Sequence, residues 1–400
     1  MKITNAMQKP DLPDMMLLQP ACMLALPNSV EVSDTLSVNG SGVGRGADSI
    51  KTALGEYLER RHFYREILSK KHGRLRETLT NSEVNSFTKA FAQTASNRMS
   101  IVQLEKHEFS LSEVFRLTDF SVCFVPTVCI SLSPHSLEKD NFIYPLRDTC
   151  GCSFHWQSDV AFVGAIKEYL ERQFLIRFWL TKMVCWRFDF VEVSSLLNNK
   201  NIRNLYLLLI ASGEVTFLDI SDARFPGFCV LAAYGQKNNG AKIKYCSGMS
   251  YASNLTDAIE KSLLELWQTY RFMDLFKSLE SEEGKIQDSY LRYFLSCNTY
   301  QTYEDVIDVS VTSCSRDVTS QSEFSLSVFL SVLNSLEISS YLYARRDRVN
   351  GVSCMLCKFI SPDLFLHMNN AKHCNVKNKY SEEFQASILS SRLGRMVPFP

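Results

Sequence analysis

Hydrophobic residues recur at helical spacing in three stretches of the chain, and acidic residues lie opposite them. In the first stretch the apolar face consists of Ile50, Leu54, Tyr57 and Leu58. At about 100° per residue, Glu56 and Glu59 fall on the other side of this helix, with Thr52 one turn before Glu56. The pattern predicts a helix that presents two carboxylates to one ligand. Asp48 is its candidate N-cap, with Ser49 in the first turn.

Two later helices repeat the acidic pattern. The second helix is predicted over residues 159–180, where the sequence GAIKEYLER (164–172) nearly copies ALGEYLER (53–60). The third helix has Asn254 as its candidate N-cap. In the second helix, Glu168, Glu171 and Arg172 correspond to Glu56, Glu59 and Arg60. In the third helix, Glu265 and Gln268 correspond to the two glutamates, with an amide in place of the second carboxylate.

The rest of the chain predicts a mixture of helices and strands, and we expect an α+β fold. No linker or low-complexity segment forces a division, so residues 1–400 are expected to form a single domain. The further predictions are extended pieces and loops before residue 47, helices over 70–120 and 280–340, strands over 120–132, 215–234 (two strands), 241–246 and 353–360, and a small-residue loop at 247–253.

Composition excludes several classes of protein. The 400 residues are 46% hydrophobic and 12% aromatic, which indicates a packed core. Lys+Arg and Asp+Glu both number 43, so net charge gives no case for a nucleic-acid partner. No apolar run is long enough for a membrane span, and residues 1–30 do not resemble a signal peptide. The 13 cysteines are scattered through apolar segments, which favours reduced thiols and a cytoplasmic location.

The repeated acids point to a metal and a phosphate ligand. Two glutamates three residues apart repel each other unless a cation lies between them. Magnesium prefers carboxylate and phosphate oxygens, and arginine binds phosphate oxygens with two hydrogen bonds. The alternative is that each acidic face is simply the solvated side of an amphipathic helix. The repetition in similar helices favours the first interpretation.

Two cysteine groups are weaker candidates. Cys150, Cys152 and His155 form a polar stretch that is interpreted as a loop lining a nucleotide pocket, with a metal site as the alternative. Cys354 and Cys357 lie in a predicted strand with no second cysteine pair close behind, and this favours buried thiols over a zinc or redox site.

Taken together, the motifs resemble those of the YcaO family of ATP-dependent backbone-modifying enzymes, over most of the chain. Thr52 stands where serine is usual in the first motif, and Gln173 stands where many members have aspartate in the second. Pro398 and Pro400 match the Pro-x-Pro ending of azoline-forming members. Four blocks resemble the cyclodehydratase subunits of thiazole/oxazole-modified microcin synthetases: GEYLERRHF (55–63), DTCGCSFH (148–155), LFLHMNN (364–370) and MVPFP (396–400).

This resemblance implies a YcaO-like fold, with an ATP and Mg²⁺ site between β-sheets and packed helices. In the implied reaction a Cys or Ser side chain of a precursor peptide attacks the preceding backbone carbonyl. The oxyanion takes the γ-phosphoryl group of ATP, and phosphate then leaves to give a thiazoline or oxazoline. The tail at 396–400 is expected to reach the active site.

The resemblance also implies roles for individual residues. The implied catalytic residues are Glu168, Glu265 and Pro400. The implied nucleotide-binding residues are Ser49, Thr52, Glu56, Glu59, Arg60, Glu168, Glu171, Arg172, Glu265 and Gln268. The implied metal ligands are Glu56, Glu59, Glu168, Glu171 and Glu265.

The implied partners are a precursor peptide with a leader and a Gly/Ser/Cys-rich core, a leader-binding recognition subunit, and an FMN-dependent azoline dehydrogenase subunit. No leader-binding domain is evident in the sequence. Two alternatives stay open: thioamide or amidine formation within the same family, and a non-catalytic scaffold that only binds peptide or subunits.

Overall fold

The computed structural model describes residues 13–18, 23, 25–35, 38–198, 200–278, 286, 289–311, 322–369 and 371–399. Its helices are α1 (Ala47–Arg65), α2 (Asn81–Thr94), α3 (Ile101–Lys106), α4 (Ser158–Thr181), α5 (Phe190–Leu196), α6 (Arg203–Ser212), α7 (Leu255–Ser278), α8 (Ser289–Ser296), α9 (Tyr300–Ile307) and α10 (Leu326–Ser335). None of the helices in this described part combines the length and the hydropathy that a membrane span requires.

The strands of the described residues form three sheets and one short pair. They are β1 (Asp14–Leu17), β2 (Asn28–Ser33), β3 (Asn39–Gly44), β4 (Lys71–Gly73), β5 (Phe109–Arg116), β6 (Val122–Pro126), β7 (Cys152–His155), β8 (Met183–Val184), β9 (Trp186–Phe188), β10 (Glu214–Asp219), β11 (Phe228–Gly235), β12 (Tyr245–Ala252), β13 (Ser310–Val311), β14 (Tyr341–Val349) and β15 (Val352–Ile360).

The three sheets are antiparallel, and each has an edge strand that leads into a helix. The first sheet has the order β1-β2-β3, the second β4-β5-β14-β15-β7 with β6 paired to β5, and the third β12-β11-β10-β9. The remaining pair, β8 and β13, is parallel. The register of the third sheet places Met249 of β12 opposite Leu231 of β11.

Helix α4 lies in the largest core of the protein. It contacts β7 and β15 of the second sheet and β12 of the third. Its buried side chains include Ile166, Phe174 and Trp179, which are completely inaccessible to solvent. Most of the surface of α4 is apolar, so the helix is covered on two sides, by the second and the third sheet, and not on one side only. Helix α1 packs on β3 and β2, and α7 packs on β12 and β11.

Several predicted elements are confirmed. The helix predicted over 159–180 is α4, the strands predicted within 215–234 are β10 and β11, and the strand predicted at 353–360 is β15. Asn254 caps α7 as predicted, because its Oδ1 accepts a hydrogen bond from the Asp257 amide at 2.9 Å. Cys354 and Cys357 are buried free thiols.

Other predictions are wrong. Residues 70–120 hold two strands besides their helices, and the alternation of Phe109 and Leu111 with serines was the missed signal of β5. The strand predicted over 120–132 ends at Pro126, where a 3₁₀ turn begins. Asp48 is not the N-cap of α1, which begins after Gly46 and has no side-chain cap.

The strand predicted at 241–246 and the loop predicted at 247–253 are also wrong, because β12 occupies residues 245–252. The small residues there are needed for close packing instead of for a turn. A Cβ at Gly248 would collide with the amide nitrogen of Leu266 and the carbonyl oxygen of Ser262 on α7. The same reason explains Gly40 and Gly42 in β3, where a Cβ would collide with the backbone of α1.

We therefore expect Gly248→Ala to push α7 away from β12. Overpacking of this kind costs about 1–3 kcal/mol of unfolding free energy, and the obstructing atoms here are backbone. Gly240→Ala is the matched control, since the nearest atom to a Cβ there is Asn238 Oδ1 at 3.5 Å. Chemical denaturation monitors both variants. Equal stability of the two variants would contradict this account of the glycine.

Candidate nucleotide and magnesium site

Each acidic helix follows an edge strand after a link of two residues. The pairs are β3 and α1, β7 and α4, and β12 and α7. An edge strand leaves every second backbone N–H without a partner in its own sheet. These free donors, together with the close packing at the glycines, decide where the carboxylates lie.

The first carboxylate of α1 is held by β3. The Ser41 amide donates a hydrogen bond to Glu56 Oε2 at 2.7 Å. Arg60, one turn later, forms an ion pair with Glu56 and donates to Asn39 Oδ1 at 2.9 Å. A charged acceptor makes such bonds stronger than neutral ones. Glu56 and Arg60 are therefore fixed in position by the strand that precedes their helix.

Strand β12 holds one carboxylate from each of the other two helices. The Tyr251 amide donates to Glu171 Oε2 of α4 at 2.6 Å, and the Met249 amide donates to Glu265 Oε2 of α7 at 3.3 Å. Residues 249 and 251 are two apart, so their N–H groups point the same way from the free edge. This edge joins α4 to α7 through their acids.

Arg172 is tied to the segment before β7. Its guanidinium lies 2.7 Å from Glu168 Oε1 and donates to Thr149 Oγ1 at 3.1 Å and to Cys150 Sγ at 3.5 Å. The other oxygen of Glu168, Oε2, is buried and has no hydrogen-bond partner among the residues that the structure describes. An unpaired buried carboxylate oxygen is costly, and a bound cation would remove that cost.

The acids form a continuous row of interacting charges. Burial raises the pKa of Glu59 well above its usual range, and the charges of Glu168 and Glu56 act in the same direction. Burial raises the pKa of Glu168 to about 7, with Glu171 adding to the shift and Arg172 opposing it. We call Glu56, Glu59, Glu168, Glu171 and Glu265 the acid row.

The far end of the acid row lies between α4 and α7. Burial raises the pKa of Glu171, while the charge of Lys167 and the Tyr251 amide lower it. Burial and then the charge of Glu171 raise the pKa of Glu265 to about 8. The row therefore contains more negative charge than its own cations neutralise, and protons compensate for it.

The composition of the row fits Mg²⁺ bound together with phosphates. All five donors are carboxylates, the hard oxygen ligands that Mg²⁺ prefers. In the described part of the chain, no three acidic, histidine or cysteine side chains are grouped tightly enough to hold a metal by themselves. Mg²⁺ commonly takes one or two carboxylates and completes its shell with water and phosphate oxygens. The metal role of each of the five acids stays a prediction.

The remaining predicted site residues are placed as follows. Thr52 is exposed, and its hydroxyl donates to the Asp48 carbonyl at 2.9 Å; Ser49 is buried, and its hydroxyl donates to the Gly46 carbonyl at 3.0 Å. Gln268 is half-buried on α7, one turn after Glu265. Pro400 lies outside the described residues. The nucleotide roles of these residues stay predictions.

Gln173 has a structural reason to replace an acid. Its side-chain amide donates to the Phe365 carbonyl at 3.1 Å and accepts from the Phe365 amide at 2.8 Å. An ionised aspartate at this position has no donor for the first bond. Gln173 therefore fixes the chain near residue 365 instead of facing the acid row.

The sequence interpretation missed Asp148 as a supporting residue. Its carboxylate accepts from the Cys150 amide at 2.9 Å and from the Met368 amide at 2.7 Å. It lies near Arg172, whose charge helps to lower its pKa despite burial. Cys150 and Cys152 are buried next to it, and His155 ends β7. The polar block at 148–155, directly before the second acidic helix, was the available signal.

Comparisons with known proteins identify the family and its relatives. A family model described as YcaO cyclodehydratase, ATP- and Mg²⁺-binding, matches residues 39–325. The microcin B17-processing protein McbD of Escherichia coli is 34% identical over 392 residues, which cover 97% of this chain and 97% of that protein.

Solved structures give the same result. A chain of the E. coli microcin synthetase McbBCD complex with pro-MccB17 bound has a TM-score of 0.88 and 33% identity, and the match covers 96% of each chain. YcaO from Methanopyrus kandleri, bound with AMPPCP and Mg²⁺, has a TM-score of 0.55 at 13% identity, covering 88% of this chain and 85% of that chain. The second likeness concerns the fold alone.

Proposed function

Because the chain belongs to the YcaO family, whose members are described as ATP- and Mg²⁺-binding cyclodehydratases, we propose that it is the heterocycle-forming subunit of an azole synthetase. Its substrate is a ribosomally made precursor peptide, in which Cys and Ser residues become thiazolines and oxazolines. The observation that carries this proposal is the meeting of α1, α4 and α7 at the acid row, since phosphoryl transfer depends mainly on positioning and charge neutralisation.

The residues at the acid row have different roles in this proposal. ATP with Mg²⁺ supplies the phosphoryl group that turns the amide oxygen into a leaving group. The carboxylates of Glu168, Glu171 and Glu265 would hold the cation. Glu168 Oε2 would be the most favourable ligand, since it has no hydrogen-bond partner in the described part of the chain. Arg60 and Arg172 keep the glutamates in place through their ion pairs. The backbone donors of β12 fix the opposite end of the row.

The C-terminal tail belongs to the same site in this proposal. Three tyrosine hydroxyls donate to tail carbonyls at 2.7 Å each: Tyr245 to Pro398, Tyr290 to Phe399, and Tyr293 to Met396. Burial raises the pKa of Tyr290, and the nearby charge of Arg172 opposes this. Phe399 is thus held by a tyrosine near Arg172, and this supports our proposal that Pro400 places substrate or accepts a proton. The chain is proposed to act as one domain over residues 1–400.

We also propose partners for this chain. The E. coli relative occurs in a McbBCD complex with pro-MccB17 bound. By analogy, this chain acts on a leader-containing precursor delivered by a recognition subunit, and an FMN-dependent dehydrogenase subunit oxidises the azolines. We propose a cytoplasmic location, and the free thiols of all cysteines in the described part of the chain support it.

Reconstitution tests the proposal. We expect the purified chain, with its partner subunits and peptide, to consume ATP only when the peptide is present. The peptide should lose the mass of one water per ring, as measured by mass spectrometry. Incorporation of external sulfide would indicate thioamide formation instead. Peptide binding without ATP consumption would indicate a scaffold and contradict the proposal.

A further inference from the structure

Two lysines lie at the end of the acid row between α4 and α7. Lys167 is four residues before Glu171 on α4, and Lys261 is four residues before Glu265 on α7. Residues at this spacing are neighbours on a helix surface. Each lysine therefore lies beside the acid that its own helix contributes to this end of the row.

The two lysines are close to each other and to both acids. The amides of Tyr251 and Met249, two residues apart on one edge of β12, hold the carboxylates of Glu171 and Glu265. The lysine one turn before each acid therefore lies at the same end of the row. Lys167 is half-buried and Lys261 is exposed to solvent. Two ammonium groups thus belong to this end of the row.

Neither lysine forms an ion pair with any carboxylate in the described part of the chain. In contrast, Arg60 pairs with Glu56 and Arg172 pairs with Glu168. The order of the charges along the helix explains the difference. Glu56 precedes Arg60 and Glu168 precedes Arg172, which is the favourable order for a pair four residues apart. Lys167 and Lys261 precede their acids, which is the less favourable order. The arginine charge is neutralised within the chain, while the lysine charge remains available.

We propose that Lys167 and Lys261 bind phosphate oxygens of the nucleotide at the α4–α7 end of the acid row. A polyphosphate entering the row meets several carboxylates, so it requires cations beside those acids as well as a metal. Lysine is a compact charge that suits phosphate oxygens. This places the phosphates next to Glu171 and Glu265. The inference rests on the proposed function, and it adds the location of the phosphates.

Nucleotide binding to the full chain tests this proposal. We expect Lys167→Gln and Lys261→Gln each to weaken the binding of ATP with Mg²⁺ by about tenfold or more, the loss typical of one charge-assisted hydrogen bond. Lys167→Arg should retain most of the affinity because it keeps the charge. Adenosine, which lacks phosphates, should bind the variants and the unchanged chain equally.

The control is Lys200→Gln, since Lys200 Nζ lies 2.9 Å from Glu260 Oε2. It should leave ATP affinity unchanged. Thermal unfolding of each variant separates a loss of phosphate contacts from a loss of fold. Unchanged ATP affinity in the Lys167→Gln/Lys261→Gln double variant, with weakened binding in Glu265→Gln, would overturn the lysine proposal and leave the proposed function intact. If the unchanged chain binds no ATP, the proposed function itself fails.

Discussion

Glu265→Gln is expected to lower the rate of ring formation by about a hundred- to a thousandfold, which is the usual loss when one preorganised electrostatic partner is removed. The amide oxygen of glutamine can still accept the Met249 N–H that now reaches Glu265 Oε2. The substitution therefore removes the negative charge and keeps the hydrogen bond. Glu168→Gln is expected to behave in the same way, because it removes the charge of a carboxylate whose Oε2 has no hydrogen-bond partner within the described residues.

The matched control is Glu260→Gln, the same change on the same helix. Glu260 pairs with Lys200 and does not belong to the acid row. Its activity should stay close to that of the unchanged chain. The measurement is the loss of water from the precursor peptide over time, in the reconstituted complex, with the denaturation midpoint of each variant. Full activity in both Glu168→Gln and Glu265→Gln would end the assignment of the row as the active site.

The second large effect is on stability without ligands, which should fall as pH rises. The pKa of Glu168 is about 7 in the folded chain against an ordinary value of 4.5. The folded state therefore holds a proton that the unfolded state has released. The free energy of unfolding is highest below the unfolded pKa and decreases as the pH rises through the folded pKa. For Glu168 the change is on the order of 3 kcal/mol, and Glu265, with a pKa of about 8, acts in the same direction.

Chemical denaturation at several pH values between about 5 and 8 measures this effect. Glu168→Gln should show a shallower dependence on pH than the unchanged chain, since glutamine does not titrate there. Mg²⁺ with a non-hydrolysable ATP analogue should stabilise the chain more at the upper end of the range, where the acids are ionised and able to bind metal. Identical pH dependence in the two proteins would contradict the pKa assigned to Glu168.

The helical acids were predictable because their pattern is local. Glu56 and Glu59, and later Glu168 and Glu171, lie opposite apolar residues at fixed spacing, and the near copy of one segment in another marks them as a pair. The confirmed helix over 159–180 depends on the same periodicity. The family was recognisable for a similar reason, because its motifs are short continuous segments.

The donors that hold these acids were not predictable in the same way. The amides of Ser41, Met249 and Tyr251 contribute through the backbone, so their side chains give no sign of it. Gly248 of β12 falls in the stretch predicted as a loop, because close packing against a helix and a tight turn both favour glycine. Only the pairing of strands in space distinguishes these two causes.

The spacing of the acid row along the chain also determines when the site can exist. Its helices α1, α4 and α7 are roughly a hundred residues apart, and contacts of such long range form late in folding. During translation α1 is synthesised before α4 and α7, so it cannot form the acid row until both of these helices have been made. A nascent chain that lacks α7 has no β12–α7 contact and no complete place for nucleotide. Only the completely folded chain can therefore bind ATP. Because ATP binds the folded state, cellular ATP then increases its free energy of unfolding.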